Sequence, residues 1–134
     1  MASNNINQFF KENRKDKKKE LFAVSQRFTD DNGEALKWEL RPCSTKKVEA
    51  IRNQCISKDG VSNGAKFALL LSAATVSWPN LNDSSLQDSY GGKKAEDLLY
   101  ELVYPAELDV LEAKCLEING YSENLETLVE QAKN

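Results

Sequence analysis

Two hydrophobic periods divide the chain. Between Glu20 and Arg41 apolar and polar residues alternate. Phe22, Val24 and Phe28 share one face, interrupted by Gln26, and Leu36, Trp38 and Leu40 share another, with Lys37, Glu39 and Arg41 opposite. A period of two marks a half-buried strand. Between the two runs, Asp30-Asp31-Asn32-Gly33 supplies turn chemistry, since Gly and Asn tolerate a positive φ. The pattern predicts a β-hairpin. Two strands alone are marginal, so its apolar face is expected to lie on helices.

Elsewhere the period is helical. Ile6, Phe9 and Phe10 stand at i, i+3 and i+4 behind Asn4 or Asn5 as a cap. So short a helix is not stable alone, and its two Phe side chains must dock on this domain or on a neighbour. Pro42 closes the hairpin, and Ser44 or Thr45 caps a helix with Val48, Ile51 and Cys55 as its buried stripe. Ala65 to Trp78 reads as one almost wholly apolar helix ending at Pro79. Leu69, Leu70 and Leu71 cover more than one face, which places it at the centre of the core. Asp83 or Ser84 starts a short helix through Tyr90, stopped by Gly91-Gly92. Ala95, Leu98, Leu99 and Leu102 mark the next helix. Pro105 opens its successor, where the missing N–H costs nothing, with Leu108, Leu111, Cys115 and Ile118 as the stripe and Gly120 at C′. Ser122 caps a last helix in which Leu125, Leu128, Val129 and Ala132 repeat at helical spacing. The fold class expected is α+β, predominantly helical: one β-hairpin packed on about six helices, several of them short. Residues 1–19 read as an N-terminal arm and basic linker, and residues 20–134 as a single globular domain.

Composition narrows the chemistry. The chain has 134 residues and no histidine. That excludes a Ser-His-Asp triad, a Cys-His dyad, a histidine general base and the usual catalytic zinc site. No acid pair clusters in a loop, so no enzyme, cofactor or metal site is expected. Cys43, Cys55 and Cys115 are odd in number and widely spaced, without a secretion signal before them. They read as reduced thiols of a cytosolic protein, Cys55 and Cys115 as small core residues. The longest apolar run, Phe67 to Val76, is too short for a membrane helix.

Charge is uneven. Residues 1–60 carry 13 Lys/Arg against 9 Asp/Glu, and residues 61–134 carry 5 against 12, for a net of −3 overall. Such asymmetry permits head-to-tail contacts between copies or a basic partner for the acidic half. The Lys15-Asp16-Lys17-Lys18-Lys19 run is broken by acids and has no interleaved aromatics for base stacking, so it reads as a solvated linker and no nucleic acid is expected as a partner. Gly91-Gly92-Lys93-Lys94 lacks the upstream Gly, the following Ser or Thr and the preceding strand of a phosphate loop. Asp30-Asp31-Asn32-Gly33 lacks the alternating acids and distal Glu of a calcium loop. The leucines from Leu98 onward read as core. Residues 96–130 nonetheless hold ten acids and a single base, Lys114, and an apolar groove with such a rim suits a basic amphipathic helix of a client.

Several blocks carry a family resemblance. They are Asn7 to Arg14, Arg27-Phe28-Thr29-Asp30, Lys37-Trp38-Glu39-Leu40-Arg41, Trp78-Pro79-Asn80-Leu81, Leu86-Gln87-Asp88-Ser89-Tyr90-Gly91, Ala95-Glu96-Asp97-Leu98-Leu99 and Glu117-Ile118-Asn119-Gly120-Tyr121. In this order and spacing the chain resembles the XkdN-like phage tail assembly chaperones over nearly its whole length. It departs from them at Trp78-Pro79, where members often have Tyr-Pro, and at Tyr104-Pro105-Ala106-Glu107-Leu108, where they often have Leu-Pro-Gly-Glu-Tyr. The resemblance implies a non-enzymatic protein of the bacterial cytoplasm, absent from the mature virion. It would bind the tape measure protein, keep it soluble and assist tail-tube assembly. The tail-tube protein and a frameshifted longer form of the chain are implied as further partners. Ala132-Lys133-Asn134 is compatible with codons that contain a slippery A-AAA-AAC heptamer, which would put the last helix near the client. The expected partner-binding residues are therefore Leu125, Leu128 and Val129, together with Phe9 and Phe10, whose arm is expected to dock between copies in a homo-oligomer. The alternative is a small nucleic-acid-binding or regulatory phage protein.

Overall fold

A computed structural model describes residues 5–16 and 18–121. The expected final helix, with Leu125, Leu128 and Val129, lies outside the described residues. The fold is α+β and predominantly helical: a three-stranded antiparallel sheet packs on helices. The strands are β1 (Glu20–Phe22), β2 (Trp38–Leu40) and β3 (Val76–Trp78), in the order β1-β2-β3. The α-helices are α1 (Thr45–Gln54), α2 (Gly64–Thr75), α3 (Ser84–Ser89), α4 (Ala95–Leu102) and α5 (Pro105–Ile118), preceded by two 3-10 turns at Ile6–Phe9 and Lys11–Asn13.

The third strand corrects the sequence reading. The apolar run from Ala65 was expected to stay helical to Trp78, but the helix stops at Thr75. Two local forces act there. The hydroxyls of Ser72 and Thr75 donate back to the carbonyls of Ala68 and Leu71, both at 2.8 Å, which weakens helix continuation. Pro79 disfavours a helical Trp78. The open edge of β2 then takes up the backbone, pairing Leu40 with Val76 and Glu39 with Trp78. The same tertiary pull shortens the hairpin. Its ladder pairs Glu20 with Leu40 and Phe22 with Trp38, then resumes only at the Thr29–Ala35 bridge beside the turn. Between them Val24 and Ser25 turn inward, and Ser25 donates to Glu107 of α5 at 2.9 Å. The turn itself forms as expected: the Asp30 carboxylate accepts from the N–H of Asn32 and of Glu34, and Gly33 takes φ 80°.

Helix starts follow the sequence closely. Ser44 and Asp83 each accept a backbone N–H of the first turn, from Lys47 and Leu86, as expected, and Asn63, which the sequence pattern does not mark as a cap, does the same from Lys66. Pro105 is the first residue of α5, and the Glu107 carboxylate accepts from the N–H of Tyr104 at 2.8 Å. Gly120 follows the C-cap Asn119 at φ 92°, a backbone angle at which a Cβ is strained.

The main core joins Val24, Trp38, Leu40 and Val76 of the sheet region to the leucines of α4 and to Leu111, Cys115 and Ile118 of α5. A second cluster of Val48, Ile51, Cys55 and Leu71 holds α1 against α2. The leucine stripe of α4 and α5 is therefore core, as expected. Cys55 and Cys115 are buried free thiols, and burial pushes the Cys115 thiol up to about 12.

One polar node ties the sheet together. The Glu39 carboxylate receives Lys19 at 2.9 Å, Arg41 at 3.2 Å and the Ser77 hydroxyl at 2.9 Å. Lys19, immediately ahead of β1, is thus tied to the sheet by an ion pair while its side chain stays largely exposed. These donors, Lys19 foremost, lower the Glu39 pKa to about 2 from 4.5. A carboxyl depressed by folding contributes stability that is complete above its unfolded pKa and lost as pH falls through the folded one. The node should accordingly weaken between pH 4.5 and about 2. In thermal melts across that window, Glu39→Gln should show a shallower acid loss of Tm than the parent. An identical pH slope in the two proteins would remove the node from the account.

Candidate partner-binding surface

An apolar groove opens where the hairpin, the end of β3 and α3 meet. Its lining comes from Phe28, Leu36 and Trp38 in the hairpin region, Trp78 and Pro79 at the end of β3, Leu86 and Tyr90 in and after α3, and Leu102 at the end of α4. Its volume is about 180 Å³, and Lys37 is the one charged residue in the lining. Trp38 is 3% exposed and belongs to the core, whereas its neighbour Trp78 is 63% exposed and Leu36 46%. Sheet geometry explains the contrast. Register places Glu39 against Trp78, so Trp78 stands at the last rung of a three-residue strand, beyond the helices that cover Val76. A large apolar side chain left open beside other apolar groups marks an interaction site.

The segments that supply the lining are acidic on balance, although the lining itself is apolar apart from Lys37. Residues 83–101, which carry α3 and α4, hold five Asp/Glu against two Lys, and residues 26–38 hold three against two. Arg27 is held in place at one side, its guanidinium 4.5 Å from the centre of the Tyr104 ring and donating to the Glu101 carbonyl at 3.1 Å. The outcome is an apolar cleft between the hairpin, the end of β3, α3 and the end of α4, where Leu102 of the α4 leucine stripe also reaches it.

Phe9 and Phe10 lie apart from this groove. They project from the N-terminal arm with exposures of 83% and 47%, and Ile6 beside them is 71% exposed. Asn5 caps the first turn, accepting from Asn7 while Gln8 reaches back to its own N–H. At the other terminus, Tyr121 packs edge-on against Phe67 and its hydroxyl accepts from Arg52 at 2.6 Å, so the chain leaves the described region beside α1 and α2. The sequence reading did not assign Trp78 to a site, because it placed that residue at the end of a buried helix. The available signal was the Trp-Pro pair itself, an aromatic forced to extended backbone after a buried run.

Relatives give this surface its setting. The chain is similar to the phage-like element PBSX protein XkdN of Bacillus subtilis (strain 168), 22% identical over 120 residues that cover 83% of this chain and 81% of the relative. Its fold is similar to the crystal structure of the protein YqbN, with a TM-score of 0.79 over 90% of this chain and 100% of that one at 16% identity. The sequence model of the phage XkdN-like tail assembly chaperone proteins matches residues 6–133. Over all but its first few residues and its last, then, the chain belongs to the XkdN-like family of phage tail assembly chaperones.

Proposed function

We propose that this chain is a non-catalytic chaperone that binds the tape measure protein, keeps it soluble in the bacterial cytoplasm and helps tail-tube subunits assemble around it, without remaining in the finished particle. A long helical rod with uncovered apolar seams aggregates until another surface covers them. The observation that carries the proposal is the open apolar groove beside Trp78, carried by segments that are acidic on balance, in a member of a tail assembly chaperone family. Its form suits an amphipathic helix with a basic flank, whose apolar anchors enter the cleft. The tail-tube protein and a frameshifted longer form of the chain are proposed as further partners.

Co-expression with the tape measure protein of the same phage or prophage tests this. The tape measure protein should move into the soluble fraction and co-elute with the chain. Trp78→Ala should weaken that capture by about tenfold or more, the usual cost of truncating a central aromatic anchor, while the melting temperature stays near the parent value because Trp78 is largely exposed. A tape measure protein equally insoluble with and without the chain would overturn the proposal, and a salt-dependent DNA mobility shift in its place would favour a nucleic-acid-binding role.

A further inference from the structure

We propose that the groove beside Trp78 receives the N-terminal aromatic arm of a second copy of this chain, giving a head-to-tail self-association. Both halves of the contact belong to this protein, so the purified chain tests it without a client, although arm and client helix would compete for the one groove. Three observations carry it.

The first is an unpartnered pair. Ile6, Phe9 and Phe10 hold their side chains in solvent on turns that are already capped, and the groove holds Leu36 and Trp78 open. A cavity of about 180 Å³ is large enough for a phenyl ring, since an apolar cavity of roughly 150 Å³ takes benzene. Preformed turns also lower the ordering cost of binding.

The second is direction. Glu20 pairs with Leu40 and Phe22 with Trp38, so the chain ahead of β1 runs out past the C-terminal end of β2. Arg14 and Asp16 accordingly lie beside Pro42–Thr45 and the end of α5. The groove lies at the other end of β2, at Trp38. Arm and groove therefore sit at opposite ends of the sheet, the arrangement that links one copy to the next heterologously, into a ring or an open chain.

The third is charge. Residues 5–19 carry six Lys/Arg against two Asp/Glu, whereas the two segments that supply most of the groove lining, 26–38 and 83–101, together carry eight Asp/Glu against four Lys/Arg, with Lys37 the charged residue in the lining itself. Opposite signs at the two ends favour arm-to-groove over arm-to-arm or groove-to-groove pairing. Two or three aromatic and aliphatic anchors make a small interface, so the association should be weak and concentration-dependent.

Sedimentation equilibrium of the purified full chain, from about 10 μM to about 1 mM, reads this directly. The mean mass should rise with concentration. Phe9→Ala with Phe10→Ala should weaken the association about tenfold or more, and Trp78→Ala comparably. All three positions are exposed, so unchanged thermal melts should confirm that each variant is folded. A benzophenone amino acid in place of Phe9 should give covalent dimers whose linked peptide contains Leu36 or Trp78. A monomeric mass at every concentration, as docking in cis would give, overturns the proposal. So does a double Phe variant that associates like the parent, or linkage that maps away from the groove.

Discussion

Replacing Leu111 by alanine is expected to lower stability by about 3–5 kcal/mol, the upper range for a fully buried leucine whose cavity cannot collapse. Leu111 is wholly inaccessible, on the face of α5 that meets the main core, with Leu98 and Leu99 of α4 in the same cluster. The cluster joins helices and sheet in a close-packed interior, so little relaxation is available to fill that volume. For a domain of this size the loss corresponds to roughly 10–20 °C in Tm. It also consumes a large part of the 5–15 kcal/mol that typically holds a domain together, taken as an order of magnitude. Leu108, one turn earlier on the same helix, is only half-buried and packs at the cluster's edge. Leu108→Ala should cost about 1–2 kcal/mol, because less of the side chain leaves the core and water can enter the space. Urea unfolding of both variants separates the cases. Equal losses would mean that α5 presents a different face to the core.

The second large effect is polar. Asn119 caps α5 and joins three segments: its carbonyl oxygen accepts from the Cys43 N–H at 2.7 Å, and its amide donates to Thr75 Oγ1 and to the Cys115 carbonyl, both at 2.8 Å. Thr75 is fully buried at the end of α2, and Cys43 begins the approach to α1. Asn119→Ala leaves the part-buried Cys43 N–H without its partner and takes a donor from the buried Thr75 hydroxyl, which keeps its own bond to the Leu71 carbonyl. The expected loss is about 2–4 kcal/mol, since an orphaned buried group costs more than an average hydrogen bond is worth. Thr75→Val keeps the shape and removes one end of the same network, for about 1–2 kcal/mol. The double variant should lose less than the two together, because the shared bond is removed only once. Strict additivity in a double-mutant cycle would show that the two side chains act separately.

Asn119 shows how the sequence could be read well and still understate a residue. The Ile118-Asn119-Gly120 run marks a helix stop in any reading, through Gly120 at positive φ. That the asparagine side chain also fastens the chain before α1 to the end of α2 depends on contacts more than forty residues apart. Local pattern carries no such information. Ser25 is a like case. Nothing in the local pattern singled it out, and the structure buries it against the Glu107 carboxylate that also caps α5.

Legible in the sequence alone were the features whose physics is local: the helix caps at Ser44 and Asp83, the proline start of α5, the Asp30–Gly33 turn, and the burial of the leucine stripe at Leu98, Leu99, Leu102 and Leu111. Each follows from side-chain hydrogen bonding, backbone sterics or helical periodicity within a few residues. The tertiary structure alone decided three further matters. It made Val76–Trp78 a strand, because the free edge of β2 offered partners that an apolar helix end could not match. It opened Trp78 at the rim of a groove instead of burying it, because the strand runs out past its covering helices. And it set the aromatic arm and that groove at opposite ends of one sheet, because antiparallel register sends the chain ahead of β1 away from Trp38.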